Sequence, residues 1–138
     1  MKNLRFVLCA FVVLLMASGA FAQTSVKANV PFDFVVGDHY YPAGEYSLKT
    51  INDAGVMQIT NRDADARVLV GSLPCSTGLA ADKTILQFRR MGNLYFLNRI
   101  WVEGQMTGRQ FPKGHEERRL AQLREKPESV IVAANIAK

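Results

Sequence analysis

Few side chains in this sequence have chemistry to offer: His39, His115, Cys75, Ser72 and the carboxylates of Asp33, Glu45 and Glu103. A zinc site needs three or four His, Cys or carboxylate ligands brought close together, and no spacing here supplies them. "HEE" at 115–117 lacks the second histidine that a metalloprotease helix places one turn on. Cys75 could pair with His39 or His115 as nucleophile and base, because such partners meet only in the fold. The surrounding "SLPCSTG" holds nothing to activate a thiolate, so Cys75 is expected to act as a small buried hydrophobe. Ser72 in "VGSLPC" lacks the second glycine of a nucleophile elbow. Asp33, Glu45 and Glu103 could serve as acid and base on paper, but alternation turns each toward solvent, and nothing brings two of them together. The glycines stand singly in turns, so no loop cradles a phosphate. The expectation is a protein that is not an enzyme, with no catalytic residue, cofactor or metal site.

The elements that would carry these residues read as short strands. From Val26 the chain alternates strictly, with Val26, Ala28, Val30, Phe32, Phe34 and Val36 on one face, a period of two that predicts a half-buried strand. Pro31 falls on the outward set and predicts an edge strand or a bulge. "YPAG" at 41–44 is turn chemistry, Pro42 setting φ and Gly44 closing the turn. It predicts a hairpin or a corner before alternation resumes at Tyr46 and Leu48. Further strands are predicted over 56–60, 67–73, 83–90, 94–104 and 129–137, separated by Gly, Asp, Asn and Pro turns. The pattern predicts an all-β domain, a small antiparallel β-sandwich or barrel of about seven strands. Phe32, Phe34, Phe88, Phe96 and Trp101 are expected to fill its interior.

One helix interrupts the strands. "KGHEERRLAQLREKP" places Glu116 and Glu117 in a first turn, Arg124 and Lys126 in a last turn, and Pro127 at the stop. Its apolar stripe is only Leu120 and Leu123 with Ala121 beside it, enough to rest on a sheet edge or close one end of a barrel. Charge gathers here as well. Residues 23–108 carry eight charges of each sign, whereas 109–126 hold six basic residues against three acidic ones. Such a segment is expected to be a solvated face that can meet an anionic envelope or extracellular component, with export making nucleic acid the least fitting partner. Tyr40, Tyr41, Arg118 and Arg119 are the expected binding surface, if aromatic corner and basic helix converge.

The opening residues carry Lys2 and Arg5, an uncharged run from Phe6 to Met16 and small residues to Ala22, the pattern of a secretory signal peptide. Residues 1–22 are therefore expected to be removed. A single β-domain over 23–138 would remain, periplasmic or secreted, with no transmembrane segment and Cys75 as its one thiol. The apolar run is too short to span a bilayer, which takes roughly 20 residues, and what remains is too short for a transmembrane barrel of eight spanning strands. The stretches "VPFDFVVGD", "YPAGEYSL", "YFLNRIW" and "GRQFPKGHEERRLAQ" together resemble a family of short exported bacterial proteins. In that family a Pro-Phe-x-Phe-x-x-Gly strand precedes Pro-Ala-Gly-x-Tyr, a Trp-containing strand and a charged C-terminal helix. The resemblance covers nearly the whole mature chain and implies no catalytic residues. The expected function is a non-enzymatic binding or structural β-domain of the cell envelope. The alternatives are a small barrel that binds an apolar ligand and an enzyme of unstated class.

Overall fold

Alternation becomes ladder pairing along nearly the whole chain. The fold, taken from a computed structural model, is described for residues 24–64, 66–124 and 126–137; the leader expected over 1–22 lies outside them. The strands are β1 (Ser25–Val30), β2 (Phe34–Val36), β3 (His39–Tyr41), β4 (Gly44–Thr50), β5 (Val56–Asn61), β6 (Ala66–Gly71), β7 (Leu73–Ser76), β8 (Ile85–Met91), β9 (Leu94–Trp101), β10 (Thr107–Gln110) and β11 (Glu128–Ala137). Among the described residues one helix, α1 (His115–Gln122), precedes β11.

The all-β expectation holds, with two corrections. The described residues form eleven strands rather than about seven, in one continuous sheet curled into a half-barrel rather than two stacked sheets or a closed barrel. The main path runs β3-β2-β9-β8-β11-β1-β4-β5-β6, while β10 pairs with β9 and with β7. The β2–β9 pairing, through Val35 and Phe96, is parallel; the other ladders are antiparallel. Only Ser72 separates β6 at one end of the path from β7 beside β10, so the chain itself links that end to the branch that β10 and β7 add at β9. The Ser72 N–H and Oγ–H both donate to the Gly55 carbonyl (2.9 and 2.6 Å). Gly55 has φ +90, and a Cβ there would run into the Ser72 carbonyl, so the corner requires glycine.

Two local expectations change and one open alternative is decided. Pro31 does not mark an edge strand: β1 lies between β11 and β4, and the proline instead ends β1 in the bend leading to β2. Of the two alternatives at the Pro42 turn, hairpin or corner, the structure has the corner, because β3 pairs with β2 while β4 returns to pair with β1. Asp33 holds it from below, its Oδ1 accepting the Ala43 N–H at 2.8 Å. Finally, α1 ends at Gln122, well before Pro127; the Leu123 N–H bonds back to both Arg119 and Leu120 carbonyls, and Arg124 follows in the left-handed region (φ 60).

Candidate functional site

Inward positions on successive strands build two different ends of the half-barrel. Along β1 they run Val26, Ala28, Val30 and on to Phe32; along β4, Tyr46, Leu48, Thr50; along β9, Tyr95, Leu97, Ile100. The end reached by Phe32, Tyr46 and Tyr95 is plugged by six aromatic rings in one connected cluster. Phe32 stacks on Tyr95 at 3.9 Å and meets Phe88 edge-on at 5.0 Å, and Phe34 bridges Phe88 to Tyr41 and Tyr46. Arg90 covers the outer side of Tyr95, 5.5 Å above its ring.

Two of the expected fillers are elsewhere. Phe96 lies on the other face of β9, in a separate cluster with Val35, Met91, Leu94 and Leu120 beneath α1. Trp101 belongs to neither cluster: it lies across Gly108, with its indole N–H donating to Gln87 Oε1 at 3.3 Å. An irregularity in the β8–β9 register between Gln87 and Phe88 shifts which residues of β9 face inward, and strict alternation read from sequence cannot register it.

The opposite end is therefore open. A cavity of about 590 Å³ reaches from solvent to the core there, with Val26, Leu48, Met57 and Ile100 as its apolar floor. That size lies within the roughly 300–1,000 Å³ of small-molecule sites, and barrel mouths are a common place for them. Its rim is polar: Thr50 and Thr107 at strand ends, Asn52 and Asp53 in the β4–β5 turn, and Arg109 on β10. Among the described residues no aromatic side chain lines it. A second depression, about 690 Å³, lies over the strands beside Tyr46 and Asn61 and is walled by Lys27, Glu45 and Arg62. Glu45 and Arg62 pair with each other there at 3.0 Å.

The tyrosines and arginines singled out in the sequence come together only in part. Tyr40 is 68% exposed and sits opposite Val35, on the face covered by α1. Tyr41 points the other way, into the aromatic plug, where burial pushes its phenol up to about 12. Arg119 is held by Glu116 through two contacts (2.5 and 3.1 Å), and the Arg118 Nε–H donates to the Lys113 carbonyl at 3.0 Å. That ion pair lowers the Glu116 carboxyl and raises the Arg119 guanidinium.

His39 and His115 are both exposed, and each has its own setting. His115 opens α1, where its backbone N–H donates to Asp38 Oδ1 at 2.7 Å and its Nδ1 lies 3.0 Å from Asp38 Oδ2. These bonds hold the Asp38 carboxyl below its ordinary range, and they cap a helix whose own cap residue, Gly114, has no side chain. Cys75 is half-buried on β7 opposite Gly108, and burial pushes its thiol up. Among the described residues no three His, Cys, Asp or Glu side chains gather as a metal site would require, and no helix is long and apolar enough to cross a membrane.

Two features escaped the sequence. In sequence Arg109 is only part of a basic segment, but the segment divides: Arg109 belongs to β10 at the cavity rim and Arg118 and Arg119 to α1. Glu117 was assigned to a helix dipole, yet it is buried and paired with Arg89 at 2.6 Å, while Arg89 also donates to Asn98 Oδ1 at 3.1 Å. Compared with known proteins, the chain matches no family model, no curated protein and no solved structure.

Proposed function

We propose that the chain is a non-enzymatic exported binding domain that takes an apolar ligand into the open end of its half-barrel. The observation that carries this reading is the cavity of about 590 Å³ whose floor is the hydrophobic core itself. Val26, Leu48, Met57 and Ile100 would bury an apolar group, each methylene removed from water contributing about 0.8 kcal/mol. The aromatic plug keeps the other end rigid, so the site is formed before the ligand arrives and little ordering opposes binding. The outer patch of Tyr40, Arg118 and Arg119 is the weaker place for an anionic envelope component, because Arg119 is already engaged by Glu116 and Arg118 by the Lys113 carbonyl.

A neutral, environment-sensitive dye, N-phenyl-1-naphthylamine, tests the reading. The wild-type protein should bind it with enhanced emission, and Thr50→Trp, which fills the mouth from the end of β4, should weaken binding at least roughly tenfold without lowering the unfolding midpoint. Reversing Arg118 and Arg119 to Glu should leave dye binding unchanged. A wild-type protein that does not bind the dye, or a Thr50→Trp protein that binds it equally well, overturns the reading.

A further inference from the structure

Arg109 gives the cavity a chemical preference. Its guanidinium faces the open space from β10, and Nη1 lies 3.1 Å from where a side chain on Gly55 would begin, so the bare turn at Gly55 leaves it room to lie along the rim. Among the described residues it makes no side-chain hydrogen bond and has no carboxylate within 4.0 Å. The carboxylate that shares the cavity wall, Asp53, is outside that distance. Arginine is always charged, and its planar fork matches a carboxylate in two parallel hydrogen bonds. At the edge of an apolar floor, such a pair would be strengthened by the reduced polarity around it.

We infer that the ligand is an amphipathic monoanion, an alkyl or acyl chain ending in a carboxylate, with the chain on the Val26–Leu48–Met57–Ile100 floor and the carboxylate on Arg109. This rests on the ligand-binding reading above and adds the headgroup to it. Neutral apolar molecules satisfy the floor and leave the guanidinium unanswered. A dianion or a bulky zwitterion would set additional charge against Asp53 or against the apolar wall. The rim also supplies the hydroxyls of Thr50 and Thr107, which can donate to a carboxylate that the guanidinium positions.

The test compares dodecanoate with dodecanol by calorimetry on the wild-type protein, Arg109→Met and Asp53→Asn. Dodecanol reports on the floor alone, and the difference between the two ligands reports on the headgroup. Dodecanoate should bind the wild type more tightly than dodecanol does. Arg109→Met should weaken dodecanoate by roughly 10- to 100-fold, the loss of a charge-assisted pair, and leave dodecanol unchanged. Asp53→Asn, which does not touch the guanidinium, should tighten dodecanoate and not dodecanol. Lengthening the chain one carbon at a time should raise affinity about fourfold per methylene until the floor is covered. Equal affinity for the two ligands, or an equal loss of both in Arg109→Met, overturns the headgroup assignment and leaves the cavity reading standing. Failure of both ligands to bind the wild type removes the cavity reading itself and the assignment with it.

Discussion

Tyr41 and Tyr46 sit in one aromatic cluster, 5.9 Å apart and edge to face, yet their hydroxyls have opposite fates. The Tyr46 hydroxyl donates to the Pro42 carbonyl at 2.5 Å and accepts from Asn61 Nδ2 at 3.2 Å, while Asn61 Oδ1 takes the backbone N–H of Asp63 at 2.9 Å. This is a tyrosine corner, and it explains why Pro-Ala-Gly-x-Tyr stands where the sheet changes direction. The Tyr41 hydroxyl is buried and, among the described residues, has no partner. Tyr46→Phe should therefore cost about 1–2 kcal/mol, because it leaves the buried Asn61 Nδ2 without its partner and cuts the tie to the Pro42 carbonyl. Tyr41→Phe should be neutral or stabilise by up to about 1 kcal/mol, because it deletes a desolvated group that nothing satisfies. Urea unfolding of the two variants checks the contrast, and equal losses would mean that the corner bond does not matter. The turn itself was legible from Pro42 and Gly44, but the bond across it was not, because Asn61 joins it from a strand fifteen residues away.

What fastens α1 to the sheet is charge more than grease. Leu120 reaches the outer cluster, but Leu123 is 63% exposed, so the apolar stripe expected from spacing is one residue wide. The buried Glu117 on Arg89 supplies the rest, helped by Gly114, where a Cβ would collide with the Gly37 carbonyl. Breaking that pair with Glu117→Gln should cost about 3 kcal/mol, since Arg89 is left charged and largely desolvated. The double replacement Arg89→Met with Glu117→Leu should return to within about 1–2 kcal/mol of wild type, because no charge is left buried and only the half-buried Asn98 Oδ1 loses its donor. Thermal unfolding of both proteins, with the helical signal followed separately, tests this; a double variant as unstable as the single one would refute the account. The helix was legible from its acidic first turn, whereas its partner was not: Arg89 and Glu117 are 28 residues apart, and either reads locally as a surface charge.

Over the whole molecule, period-two alternation identified which residues face inward along most strands, and Leu86, Phe88, Tyr46 and Leu48 are buried as it predicts. It did not reveal the cavity. Val26, Leu48, Met57 and Ile100 look like any core residues in sequence, since alternation assigns a side chain to a face and carries no information about whether the space opposite is filled. Nor did it reveal β10, whose four residues contain one glycine and two long polar side chains and become a strand only because β7 and β9 flank it. The order of strands places the C-terminal β11 between β8 and β1. A chain ending at Pro127 should accordingly lose cooperative unfolding and give a collapsed NMR spectrum; a sharp, dispersed spectrum from that truncation would show that the two halves of the sheet close without it.

The same placement sets a rule for biosynthesis. Because β11 is the seam between the earlier-made β1 and the later β8, a polypeptide emerging from a ribosome cannot zip its two sides together until residues 128–137 have been made. Completion of the fold therefore waits on the last strand to be made, however early the other ten are available.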